Sequence, residues 1–280
     1  MNCPDCKNII PDHSRTCKVC EYDAGFPNKR AAEKPIEQTA LDKRYTDALL
    51  DGEKRGCKDN ILQFQEEIKK SKAVLCRSLS KIQEFVSSDN ELYATFYQLV
   101  SAGAKIPEKN KYDPIRPIVD GMLFPYYHEQ IRFAALTLNN SGAKGFGNCS
   151  IILKDDTINR RTTVFEENSI HFAQKKRLVA TEPVPAGYRA TWEHRDLLAA
   201  AKQADKIDNN TKACDFPGIL LNSIGSKSDD FIEVHIYGSI SRQGVESLIV
   251  KKPKKKADRV ILKSIKNKLK QIGVGVEEIL

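Results

Sequence analysis

No stretch of about 18 consecutive apolar residues occurs in the chain, so nothing in it reads as a membrane-spanning helix. The phosphate-cradling patterns G-x-x-x-x-G-K-S/T and G-x-G-x-x-G are missing, and no Ser-His-Asp signature is present. His128-Glu129 does not continue to the second histidine of a zinc-protease motif. Nor is there an internal repeat. The start, Met1-Asn2-Cys3-Pro4, lacks the charged and apolar regions of a secretion signal. With eight cysteines and no such signal, the expectation is a reducing, cytoplasmic compartment, where thiols stay free or bind metal.

What remains is a globular composition. The 280 residues are 40% hydrophobic and 29% charged, enough for one large domain or two smaller ones. The net charge of +8 is unevenly placed. Between Lys251 and Lys270, nine lysines and Arg259 against Asp258 make +9, which leaves −1 for the rest. The basic character therefore belongs to one short segment.

Cys3, Cys6, Cys17 and Cys20 read C-x2-C-x10-C-x2-C. Each pair forms a knuckle whose two thiolates point at one ion, and two knuckles complete a tetrahedron, the pattern of a structural Zn²⁺ ribbon. A stretch this short buries no core, so metal binding must supply its folding free energy. Lys7-Asn8 and Glu21-Tyr22 follow the knuckles where many ribbons carry glycine. A free or redox-active thiol cluster is the other reading. Cys57, Cys76, Cys149 and Cys214 have no partners at ligand spacing and read as small apolar residues.

The expected fold class is α+β: a small four-cysteine zinc ribbon over 1–24, a linker over 25–38, a long amphipathic helical arm over 39–105, and a mixed α+β domain of catalytic type over 106–280. Ile61, Ile68, Leu75 and Ile82 recur every seven residues, which predicts one helix of about 25 to 30 residues. It is expected to pack on its own domain or to pair with another chain. A further helix is expected over 91–102. Short apolar strands are predicted at 131–138, 149–153 and 231–237, and helices at 192–206 and 258–271, the last carrying lysines.

In the strand at 231–237, Ile232, Val234 and Ile236 form one face, while Phe231, Glu233, His235 and Tyr237 form the other. A carboxylate, an imidazole and a phenol in one row suit proton transfer, although a plainly solvated face is the alternative. Arg160-Arg161-Thr162-Thr163 pairs guanidinium groups able to clamp a phosphate with hydroxyls, and is equally ordinary strand chemistry.

The segments G-F-G-N-C-S-I-I-L-K and R-R-T-T-V-F-E-E-N-S, followed by F-I-E-V-H-I-Y-G, resemble a functionally uncharacterised group of bacterial and phage-associated proteins. Members of that group carry patterns of the type F-G-x-C-x-L-x-L, R-A/T-T-F and E-A-Q-I/V-H-G. The last segment also resembles the final motif of the ADP-ribosyltransferase fold, and the likeness spans roughly 130–250. It implies that Glu233 is the catalytic glutamate at the nicotinamide ribose, with His235 and Tyr237 beside it. Thr162 and Thr163 would stand in the second-strand motif, and Arg132 or Arg161 would bind the dinucleotide. Phe231 stands where many transferases carry Glu or Gln, and His235 where the group carries Gln.

The resemblance implies a toxin or phage-defence effector that uses NAD to modify nucleic acid or a nucleic-acid-associated protein, with an antitoxin or regulatory protein as partner. On that reading, Glu233→Ala should abolish transfer without unfolding the chain. Two alternatives stand beside it. His128, His171, His194 and His235 supply groups for a metal-independent ribonuclease. Lys251, Lys252, Lys254, Lys255 and Lys256, with the ribbon, suit a non-catalytic nucleic-acid-binding adaptor.

Overall fold

A computed structural model describes residues 1–107, 113–179, 182–223 and 229–279. After the cysteine-rich start, Pro27–Ala32 (α1) and Pro35–Lys54 (α2) are helical. The 25–38 segment is therefore not a linker. Its two prolines occupy the first positions of these helices, where the missing N–H costs nothing and the fixed φ is already helical.

The predicted long helix is also corrected. Lys58–Ile68 (α3) and Leu79–Phe85 (α4) are helices, but Lys72–Arg77 between them is a strand (β1). Ala73, Val74, Leu75 and Cys76 are all buried, because β1 lies between two other strands with both faces covered. A doubly buried strand reads as an unbroken apolar run, which also satisfies a helical stripe. The 39–105 segment thus supplies a central strand rather than standing apart as an arm.

The chain continues through Phe96–Ser101 (α5), Arg116–Leu123 (α6), Ile131–Thr137 (β2), Cys149–Leu153 (β3) and Asp155–Ile158 (α7). Next come Thr162–Phe165 (β4), Ser169–Lys175 (α8), Arg189–Thr191 (β5), Arg195–Gln203 (α9) and Phe216–Leu220 (α10). Glu233–Tyr237 (β6), Val245–Lys251 (β7), Lys256–Lys270 (α11) and Gly275–Ile279 (β8) complete it. The strands form one mixed sheet in the order β5-β4-β6-β2-β1-β3-β7-β8. Its pairings are antiparallel except β7 with β8, which are parallel and joined through α11.

One face of the sheet packs its larger core under α3, α4, α9, α10 and α11, with Phe64, Ile82, Leu198, Phe216 and Ile265 filling it. The other face meets a thinner layer. There α6 and α8 bring Val119, Leu123, Ile170 and Phe172 against Ile131 and Phe165. The capping box at Thr95–Gln98 and the Asn168 side chain on the Ile170 and His171 N–H groups start α5 and α8, satisfying donors that have no helical partner.

Candidate functional site

The two cysteine pairs form knuckles related by an offset of 14 residues. Lys7 N–H donates to Cys3 O (3.0 Å) and Glu21 N–H to Cys17 O (3.0 Å); Cys3 N–H donates to Asn8 O and Cys17 N–H to Tyr22 O. Lys7 and Glu21 take up the left-handed turn themselves, with φ of 63° and 60°, at the positions where glycine was missing. All four Sγ atoms lie within 4.8 Å of one another; Cys3 approaches Cys20 at 3.4 Å and Cys6 approaches Cys17 at 3.5 Å. A tetrahedral ion with bonds of about 2.3 Å needs sulfurs roughly 3.8 Å apart, so the cluster fits one. Asn8, through its side chain and then its backbone N–H, draws the Cys6 thiol down to about 6. The ribbon is tied to the body by Arg30, whose Nη2 donates to the carbonyls of Asp12 and Ser14 at 2.8 Å, and by the Lys34–Asp12 ion pair.

The second constellation sits under α6 and α8. The register aligns His235 with Phe133 on one side and Thr163 on the other, and Glu233 with Ala135 and Phe165. These side chains therefore share one face of the sheet. The alternation predicted for this strand is present, but both faces are buried: Glu233 and His235 are each 2% exposed. The Glu233 carboxylate accepts from Asn168 Nδ2 (3.2 Å) and Ser169 N–H (3.0 Å), and meets His235 Nε2 at 2.9 Å. Phe124, Phe133 and Phe165 enclose the imidazole at ring distances of 4.8 to 5.7 Å. Tyr237 is half-buried, against Phe26 and Tyr127.

Asp120, which the sequence pattern did not single out, belongs to the same cluster. It is fully buried on α6, accepts from Tyr97 Oη at 2.8 Å, and has Arg116 at 3.5 Å; its Oδ1 has no hydrogen-bond partner. Burial pushes its carboxyl up to about 6, with Arg116 and the Tyr97 hydrogen bond opposing and Glu233 adding to the rise. Sequence spacing carried no sign of it, because Tyr97 and Glu233 come from segments far from α6 in the chain.

The other proposed residues divide. Thr163 Oγ1 lies 3.4 Å from Asn28 Nδ2, which also donates to the carbonyls of Arg161 and His235 and so ties α1 to this face. Arg132 and Thr162 align with Ile236 and project from the opposite face to Glu233. Thr162 Oγ1 donates to Ile158 O. Arg132 Nη1 donates to Gln130 O, and its buried Nε has no partner. Arg161 donates to the carbonyls of Thr157 and Tyr237. The guanidinium groups of Arg132 and Arg161 are both drawn down by burial, and Arg132 also by the charge of Arg161. His128 packs on Tyr97 (4.9 Å), and His194 Nδ1 lies 3.1 Å from Thr191 Oγ1.

Lys251, Lys252, Lys254, Lys255 and Lys256 are all exposed, as are Arg259, Lys263 and Lys270. They continue from the end of β7 along the outer side of α11, whose Leu262, Ile265 and Leu269 turn inward. No family model matches this chain, and no curated protein matches it either.

Proposed function

We propose that the protein is a zinc-stabilised, nucleic-acid-binding protein whose contact surface is the lysine-bearing edge formed by the end of β7, the 251–256 turn and the outer face of α11. The observation that carries this reading is the scarcity of partners. Among the described residues, Lys266 with Glu278 is the one ion pair formed by a lysine of this segment. Lys252 also lies near enough to lower the Glu278 carboxyl, and Lys268 donates to Ser87 O. The exposed lysines otherwise form no ion pair among the described residues, and each phosphate they meet releases a condensed counterion. The ribbon, with four protein ligands and no open coordination position, supports the N-terminal fold rather than chemistry. Affinity for a single-stranded and a duplex oligonucleotide should be measured against salt for the wild type and for a variant with Lys251, Lys252, Lys254, Lys255 and Lys256 changed to Gln. The variant should show a markedly shallower slope, by up to about 0.9 per lost phosphate contact on duplex DNA. An unchanged slope overturns the reading.

A second reading, ADP-ribosyl transfer from NAD, is favoured by the gathering of Glu233, His235 and Thr163 on one face, with the Glu233 carboxylate held in one orientation by three neighbours. In this reading Glu233 receives the ribose hydroxyl, and the α6–α8 layer that covers it swings away to admit the dinucleotide. Incubation with labelled NAD, nucleic acid and protein acceptors should then transfer label with the wild type and not with Glu233→Gln. Absence of label, with NAD intact, removes this reading and leaves the first untouched.

A further inference from the structure

A short 3-10 turn, Lys144–Phe146, precedes β3 and carries Phe146 between two glycines with the residue 49% exposed. The backbone beneath the ring is closely held. Lys144 N–H donates to Ser223 Oγ at 2.7 Å and Phe146 N–H to Ala143 O at 3.1 Å. Gly147 lies so near Arg77 that a Cβ there would come 2.3 Å from the Arg77 carbonyl carbon. The Phe146 ring meets buried Phe231 edge to face, with centres 6.2 Å apart. An aromatic ring anchored at one edge and half open to solvent offers a flat apolar surface to a ligand.

The same turn adjoins the lysine edge. Lys251 N–H donates to Asn148 O at 3.3 Å, continuing a register that aligns Val250 with Cys149 and Ile249 with Ser150. Ile249 and Phe231 share one buried cluster, while Leu248 and Val250 belong to the core on the other face. Lys251, two residues beyond Ile249, therefore projects from the Phe146 side of the sheet. Lys144, Lys251 and Lys252 are all exposed. Two carboxylates stand on this side as well. Asp229 accepts from Ser223 Oγ and faces Gly145, and exposed Glu277 aligns with Ile249 on β8. They repel phosphate, which favours an uncharged group over the ring and keeps the phosphates on the lysines.

Resting on the nucleic-acid reading above, we propose that Phe146 is a base-stacking subsite of the lysine edge and that the edge takes a single strand. One nucleobase lies on the Phe146 ring, and the phosphates beside it lie against Lys144, Lys251 and Lys252. Every base has a π-face, so the subsite selects strand type rather than sequence. In a duplex those faces are already stacked on one another, and the ring finds none free.

The experiment measures binding of the zinc-loaded full chain to a short oligothymidine, to the same strand without bases, and to a duplex of equal length, each across a salt series. Phe146→Ala should bind oligothymidine about 5- to 150-fold more weakly, the range for one stacked base. Its salt slope should match the wild type, because no phosphate contact is lost. Phe146→Leu keeps an apolar contact with Phe231 and should weaken binding in the same direction, so the test survives an unstable alanine variant. Phe146→Tyr keeps the aromatic face and should bind as the wild type does. None of the three should change binding of the abasic strand or the duplex. Wild-type affinity in Phe146→Leu, a loss in Phe146→Tyr equal to that in Phe146→Leu, or an equal loss on the abasic strand each overturn the subsite. If the five-lysine variant flattens the slope while the Phe146 variants bind normally, the subsite fails and the lysine reading stands. If the wild type binds none of the three probes, both fail.

Discussion

Glu233 and His235, two positions apart on β6, project from one face of the sheet and meet Oε2 to Nε2 at 2.9 Å inside a layer that water does not reach. Strand alternation sets them side by side, and Asn168 and the start of α8 supply the remaining donors to the carboxylate. The pair is part of the packing between the sheet and the α6–α8 layer.

Removing that carboxylate strands the imidazole, an amide and a backbone N–H. Glu233→Ala should therefore destabilise the protein by about 1–3 kcal/mol for each buried donor left unpaired, rather than leaving the fold intact as the resemblance implies. Glu233→Gln, which keeps an acceptor oxygen, should lose less. Urea denaturation of both variants measures this, and an alanine variant as stable as the wild type contradicts the structural role.

Asp120 gives the fold a pH dependence of known sign. Its carboxyl is raised to about 6 in the folded protein, above its ordinary value of 3.8, so the folded state holds the proton more tightly than the unfolded chain. Its contribution is most favourable below pH 4 and is lost as pH rises towards 6, a swing of about 3 kcal/mol for a two-unit shift. Asp120→Asn should remove that swing. The stability difference between variant and wild type, followed from pH 4 to 8, should move in the variant's favour as pH rises, with the shared zinc contribution cancelling. A flat difference contradicts the assignment.

The metal site predicts one zinc per chain. Cys3→Ser or Cys17→Ser should abolish it and raise amide exchange throughout residues 1–24, since this segment buries only a small cluster of Cys3, Ile10 and Cys17. Arg30 loses its fixed carbonyl partners at Asp12 and Ser14, so exchange should spread to α1, while the central strands β1, β2 and β6 stay protected. Atomic absorption and hydrogen exchange check both parts. Stoichiometric zinc in either variant overturns the ligand set.

Gly147 tests the sheet's central turn. Its φ is 149°, and a Cβ there would come 2.3 Å from the backbone carbonyl carbon of Arg77. Gly147→Ala should cost about 2 kcal/mol or more, because backbone has to move at the end of β1. A thermal midpoint unchanged from wild type would show that the contact relaxes freely.

Local signals are legible in the order of the amino acids. The cysteine spacing anticipates the four-sulfur cluster, and the run from Cys149 to Leu153 anticipates β3. Each of these depends on neighbours within a turn or a strand. The seven-residue spacing misleads for the opposite reason: Leu75 falls in line with Ile68 and Ile82, yet its nearest partner in the sheet is Ile151.

The sequence by itself determined what short-range chemistry determines: two metal knuckles, a charged helix with one apolar side, and the face alternation of β6. Only the tertiary structure decided that both faces of β6 are buried, that Arg132 and Glu233 look opposite ways, and that Asp120, Tyr97 and His235 share one buried cluster. The physical reason is that burial and charge coupling are set by groups far apart in the chain, which meet only when eight strands close into one sheet.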